Sequence, residues 1–175
     1  MDLRDHIRDV PDFPKPGILF RDITPLLAHP AAFRHSIQMF ADHYRDAGIK
    51  AIAAAEARGF IFAAPLAIEL DCAFVPVRKP GKLPFETESF HYELEYGTDT
   101  IEMHADAIRP GQKTILVDDL IATGGTAQGA IKLLRELGAD IVAACFVIDL
   151  PDLGGAGKIE AMGVPVRSLV AFEGH

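Results

Sequence analysis

The chain has 175 residues, a net charge of −8, and 49 % apolar and 24 % charged residues. This is the make-up of one soluble domain with a substantial core, and its acidity argues against nucleic acid or an anionic membrane as main partner. The charged start, Met1 to Val10, holds no apolar signal core, and the most apolar stretch, Ala51 to Leu70, is broken by Glu56, Arg58 and Glu69, so no membrane span is expected.

Pro11 to Gly17 is too rich in proline for a helix interior and reads as a surface loop. Pro30 to Ala47 has helical spacing, with Phe33, Ile37, Phe40, Ala41 and Tyr44 on one stripe and Gly48 as the stop signal. Lys50 to Ala55 is a buried strand, Phe60 to Leu70 an apolar helix entered at Gly59, and Phe74 to Val77 a short strand. Pro80 to Pro84, with Lys79 and Lys82, is an exposed basic loop. Phe90 to Ile101 partly alternates and turns at Gly97-Thr98, which suggests a hairpin. Thr114 to Val117 is a strand, Thr126 to Leu137 a helix closed by Gly138, and Ile141 to Ile148 another strand. Gly154-Gly155 marks a loop and Val166 to Val170 the last strand. Cys72 and Cys145 lie in apolar contexts and read as buried free thiols, which points to a reducing, cytoplasmic compartment. Strand and helix alternate through the centre, with no repeat or linker. The expected fold is α/β: one domain over 1–175, a Rossmann-like, mostly parallel sheet with helices on both faces.

The richest stretch is Asp118-Asp119 followed by Ala122-Thr123-Gly124-Gly125-Thr126. It follows a strand and opens a helix, where ligands bind at the carboxyl edge of an open α/β sheet. Approachable backbone N–H groups, two hydroxyls and a helix N-terminus suit a phosphate monoester, while the paired acids can accept hydrogen bonds from sugar hydroxyls. Together they describe a ribose 5-phosphate site. A P-loop is excluded because no Gly-Lys-Ser/Thr follows, and the Gly-x-Gly-x-x-Gly dinucleotide turn is absent. Glu56-Ala57-Arg58-Gly59-Phe60 is a second strand-to-helix turn. There Arg58 suits a pyrophosphate, or else a surface ion pair. Phe13 to Leu27 reads as a rigid loop with an aromatic tip, in which Asp22 or Thr24 caps a following helix.

Asp118 to Thr126 resembles the phosphoribosyl-pyrophosphate (PRPP) motif of the type I phosphoribosyltransferases. The resemblance implies that Ala122, Thr123, Gly124, Gly125 and Thr126 hold the 5-phosphate and that Asp118 and Asp119 hold the ribose hydroxyls. Glu56 to Phe60 is similar to the family's pyrophosphate loop, which implies a cis peptide before Ala57 and a catalytic position for Arg58. The segment of about 80–102 resembles the flexible catalytic loop. It implies PRPP contacts for Lys79 and Lys82 and places Glu95 and Tyr96 at the reaction centre. Glu95 would either stabilise the cationic sugar or manage the purine proton. His104 falls where a PRPP contact is plausible, and a surface histidine is the equal alternative. Phe13 to Leu27 resembles the N-terminal hood, about 1–30, of the adenine-using members. There Phe20 would stack on the purine, the backbones of Leu19 and Arg21 would bond its edge, and Leu150 would pack on the other face. The reaction implied by this likeness is transfer of a phosphoribosyl group from PRPP to adenine, giving AMP and pyrophosphate. Mg²⁺ would be held mainly through PRPP and pyrophosphate, with no metal site built from side chains, and the molecule would be a homodimer. The rivals are a member of the family using xanthine or hypoxanthine, and a PRPP-binding regulator without turnover. The regulator would call for a basic face or an added DNA-binding segment, neither of which the sequence shows.

Overall fold

The computed structural model describes residues 1–93 and 97–174. After a single 3₁₀ turn, β1 (Arg8–Pro11) and β2 (Leu19–Asp22) form a hairpin, followed by α1 (Thr24–Leu27) and α2 (Pro30–Tyr44). Next come β3 (Ala51–Ala55), α3 (Arg58–Glu69) and β4 (Ala73–Val77), then the hairpin of β5 (Thr87–Glu93) and β6 (Thr98–His104). The chain continues through β7 (Lys113–Ile121), α4 (Gly125–Glu136), β8 (Asp140–Asp149), α5 (Gly155–Ala161) and β9 (Val166–Ala171).

The central sheet has five parallel strands in the order β4-β3-β7-β8-β9. Side chains alternate across it. Ile52, Ala54, Ile115, Val117, Cys145 and Val147 pack with Phe40 of α2 and with Phe62 and Leu66 of α3. Ala51, Ala53, Leu116, Ala144 and Phe146 belong to the opposite cluster with Ile131, Leu133 and Leu134 of α4. Strand β3, Ala-Ile-Ala-Ala-Ala, is wholly buried. No helix among the described residues is long and apolar enough to cross a membrane.

Several elements differ from the sequence expectation. Strand β7 runs on to Ile121 instead of stopping at Val117. Its ladder with β8 continues through Asp118↔Phe146, Leu120↔Ile148 and Ile121↔Asp149 after its partner β3 has ended, so both acids lie on the strand. The expected loop at Gly154-Gly155 is only a turn at Gly154, with φ of 76°, and α5 starts at Gly155 and is anchored by buried Ile159. Phe13 to Leu27, expected as a rigid loop, contains strand β2 and helix α1; only 12–18 form the tip of the β1–β2 hairpin, in which Val10 pairs Phe20. Asp22 does cap the next turn: its Oδ1 accepts from Thr24 N at 2.9 Å.

The β5–β6 hairpin is longer than expected, from Thr87↔His104 to Glu93↔Thr98. It continues the β4 edge through reciprocal backbone bonds between Arg78 and Glu102. Tyr92, Ile101 and Met103 pack it onto the α4 face. Both cysteines are free, and only Cys145 is fully buried, Cys72 being half-buried. Burial pushes the Cys145 thiol up to about 12.

Candidate active site

The carboxyl ends of β3, β7 and β8 meet at one edge of the sheet, where open α/β folds hold ligands. After β7, Gly124 takes φ of 85° and begins α4. The first helical bond there runs from Gln128 N to Gly124 O at 2.9 Å, and amides ahead of it lack helical partners. A cavity of about 160 Å³ opens at this turn, lined by Asp118, Ala122, Thr123, Gly124, Gly125 and Thr126. The five predicted phosphate residues thus share one small hollow at a helix N-terminus.

The turn is braced from behind by α5. Gly155 N donates to Ala122 O at 3.0 Å. The fit demands glycine, since a Cβ on Gly155 would lie 2.4 Å from that same oxygen. Sequence reading missed this role, because a Gly-Gly pair reads as a breaker and the contact is made across more than thirty positions.

Asp119 is 6 % exposed. Its Oδ2 accepts from Arg58 Nε at 2.6 Å. Asp118 Oδ1 accepts from Asp119 N at 2.8 Å. Burial, together with the neighbouring Asp119 carboxylate, holds the Asp118 carboxyl well above the ordinary carboxylate range. The start of α3 packs hard against this strand: a Cβ on Gly59 would meet Asp118 Oδ1 at 3.0 Å and Val117 O at 3.2 Å. The Glu56–Ala57 peptide is cis, as the resemblance implied.

Arg58 also lies over the Phe20 ring, with its guanidinium carbon 5.8 Å from the centroid. It joins the hood to the acids. Phe20 meets Phe13 edge-on at 5.2 Å. Leu150 is buried at the end of β8 and donates its N–H to Ile121 O at 3.0 Å. Leu19 is half-buried, and the buried Arg21 side chain pairs with Asp9 and lies 4.5 Å from the Phe172 ring.

The basic loop is less free than expected. Lys79 is half-buried and pairs with Asp99, while its backbone N–H donates to Glu56 Oε1 at 2.6 Å. Lys82 Nζ donates to Glu56 Oε2, also at 2.6 Å. Lys82 holds the Glu56 carboxyl below its ordinary value, and Lys79 does the same for Asp99. Glu56 comes from the turn after β3 and Asp99 from strand β6, so a pattern of local basic residues gave no sign of them. Tyr92 Oη lies 3.2 Å from Asp99 Oδ2 and 3.3 Å from Thr126 Oγ1, which ties the hairpin to the small hollow. His104 accepts from Phe85 N at 3.3 Å through Nε2 and does not line that hollow. Glu95 and Tyr96 lie outside the described residues.

No cluster of three or more His, Cys, Asp or Glu among the described residues could hold a metal ion. A larger hollow lies elsewhere, a groove of about 450 Å³ between α2 and α3 lined by Phe33, Arg34, Ile37, Pro65, Ile68 and Glu69 among others, and it contains none of the residues above.

A family model described as phosphoribosyl transferase domain matches residues 22–162. The chain is 62 % identical over 174 residues to an adenine phosphoribosyltransferase of Rhodopseudomonas palustris, with 99 % of this chain and 96 % of that one covered. It is similar to the crystal structure of adenine phosphoribosyltransferase from Thermoanaerobacter pseudethanolicus, with a TM-score of 0.92 at 50 % identity over 97 % of this chain and 98 % of the other. The Saccharomyces cerevisiae adenine phosphoribosyltransferase, complexed with D-2,5-dideoxy-2,5-imino-altritol 1,6-bisphosphate and adenine, gives a TM-score of 0.90 at 41 % identity over 96 % of each chain.

Proposed function

The chain belongs to the phosphoribosyltransferase family, among its adenine phosphoribosyltransferases, and from that membership we propose how its residues divide the transfer of phosphoribosyl from PRPP to adenine, which gives AMP and pyrophosphate. Ala122 to Thr126 take the 5-phosphate at the α4 N-terminus. Asp118 and Asp119 accept from the ribose hydroxyls. Phe20 stacks on the adenine ring, the Leu19 and Arg21 backbones read its edge, and Leu150 covers the other face; the yeast relative with bound adenine supports an acceptor site in this fold. The observation that carries the assignment is Arg58, which bonds Asp119 at 2.6 Å and lies 5.8 Å from the Phe20 centroid, so that donor and acceptor sites adjoin.

In the reaction, ribose C1 loses pyrophosphate as adenine N9 approaches from the opposite face, through a transition state with oxocarbenium character. Arg58, Lys79 and Lys82 stabilise the charge growing on the leaving group as they exchange their carboxylates for it. Mg²⁺ would enter with PRPP as part of the substrate and would neutralise charge on the pyrophosphate, since it favours substrate phosphates over an all-protein cage. Glu95 and Tyr96 act at the reaction centre from the loop of about 80–102, and His104, at the hairpin base, is either a PRPP contact or a surface histidine. The chain acts as one domain, in the cytoplasm, where free Cys72 and Cys145 are at home. It works as a homodimer, and the exposed Ile68 on α3 offers an apolar contact for a second copy.

The deciding experiment supplies PRPP and Mg²⁺ with adenine, hypoxanthine, xanthine or guanine in turn. AMP from adenine, at a rate far above any other mononucleotide, is the expected result. Preferred use of another base would overturn the acceptor assignment.

A further inference from the structure

We propose that the Tyr92 hydroxyl is a positioning group that couples occupancy of the phosphate turn to the stem of the β5–β6 hairpin. Tyr92 is 9 % exposed and its ring lies on α4, where a Cβ on Gly129 would meet Tyr92 Cδ1 at 3.1 Å. Its Oη stands between Asp99 Oδ2 at 3.2 Å and Thr126 Oγ1 at 3.3 Å.

A phenol has one proton to donate, and an ionised carboxylate can only accept. Lys79, paired with Asp99, keeps that carboxyl ionised. The Tyr92 proton therefore points to Asp99, and the Thr126 hydroxyl donates to Tyr92. A phosphate at the turn also only accepts, so it requires the same Thr126 proton. Once that proton is given to phosphate, two oxygens 3.3 Å apart face each other with none between them. The conflict is relieved when Tyr92 turns its proton to Thr126 and releases Asp99. Asp99 and Tyr92 are cross-strand partners one step from the ends of β5 and β6, so the change falls on the stem that flanks residues 94–96. Phosphate binding thus reverses the direction of one hydrogen bond and removes another at the hairpin.

This inference rests on the reading that Thr126 binds phosphate, and two variants separate the two. Amide hydrogen exchange over 87–93 and 97–104 is measured on the full chain with and without ribose 5-phosphate, alongside its Kd. In the parent protein the ligand alters exchange in both strands. Tyr92→Phe keeps the ring and binds ribose 5-phosphate within about threefold of the parent, but loses the ligand-induced change. In the full reaction its kcat falls about tenfold, with little change in the KM for PRPP. The coupling is overturned if Tyr92→Phe shows the same ligand-induced change, or if the parent shows none. Thr126→Val that retains parent affinity for ribose 5-phosphate would instead remove the phosphate reading beneath it.

Discussion

Gly124 and Gly155 stand back to back: a Cβ on Gly124 would lie 3.1 Å from Gly155 Cα, and one on Gly155 would lie 2.9 Å from Gly124 N. The obstacle is backbone on both sides, so no side chain can swing away to make room. Gly155→Ala must displace the phosphate turn, which we expect to lower stability by about 1–3 kcal/mol, as overpacking does, and to weaken ribose 5-phosphate binding at least tenfold. Gly157→Ala, two residues along α5 with nothing within 4 Å of its Cβ, serves as control: it leaves ribose 5-phosphate binding unchanged and does not lower stability. Chemical denaturation and ligand titration provide the readouts, and parent-like binding by Gly155→Ala would refute the brace.

Asp118 sets the pH response of the ribose site. Its carboxyl is raised by burial and by Asp119, so the folded protein holds a proton that the unfolded chain loses near 3.8. Its contribution to stability is therefore greatest below that value and falls as pH climbs toward the raised one. Sugar hydroxyls bond more strongly to the ionised form. The affinity for ribose 5-phosphate should improve as pH rises through the same window, with release of a proton. Calorimetry in buffers of different ionisation enthalpy measures that release. Asp118→Asn should remove the Asp118 share, and an unchanged proton count in the variant would discard the assignment.

Phe20 should matter to the acceptor alone. Stacking of a base on an aromatic ring is worth about 1–3 kcal/mol, so Phe20→Ala should raise the KM for adenine roughly tenfold or more. The affinity for ribose 5-phosphate should hold. Equal losses toward both ligands would show that the ring supports the fold, through Phe13 or Arg58, rather than the base.

Glu95 is expected to act in the chemical step. Positioned proton-transfer or charge-stabilising groups contribute about 10²–10⁴-fold, so Glu95→Ala should cut kcat at least a hundredfold with a modest change in PRPP Kd. Steady-state kinetics and direct binding make the comparison. An undiminished kcat would take Glu95 out of the mechanism.

Ile68, next to last in α3, is 82 % exposed, a large apolar side chain left uncovered. Sedimentation should find a dimer that Ile68→Glu weakens without loss of helical content. A parent protein that sediments as a monomer would reject the homodimer, and a variant dimer of parent strength would place its interface elsewhere.

Local signals were legible in the sequence and distant pairings were not. An apolar run into Asp118-Asp119 and a glycine turn declares a strand and a helix start, because each is dictated by neighbours along the chain. The boundary at Val117 was wrong because strand length is set by the partner ladder of β8, which no local pattern in β7 reveals. Arg58 was recognisable as a charge at a strand-to-helix turn, yet its acceptor Asp119 lies 61 positions away. Asp99, inside the hairpin, had no distinguishing context until the fold brought Lys79 and Tyr92 to it. Phe20 looked like an exposed loop tip, and only resemblance gave it a ligand.

Arg58, Lys79 and Lys82 already hold carboxylates in the ligand-free protein, those of Asp119, Asp99 and Glu56. Within a chain of net charge −8, these three cations are thus not bare toward the small anions around them. An incoming anion gains only the difference between its own attraction and that of the acid it displaces. A lone phosphate can engage the small turn but cannot offset several broken pairs. A ligand with phosphate at one end and pyrophosphate at the other can, since a single binding event replaces them together. On the proposed site assignment, the three acids would set a threshold on ligand charge and span, and would disfavour fragments of the donor before any contact with its reactive carbon is made.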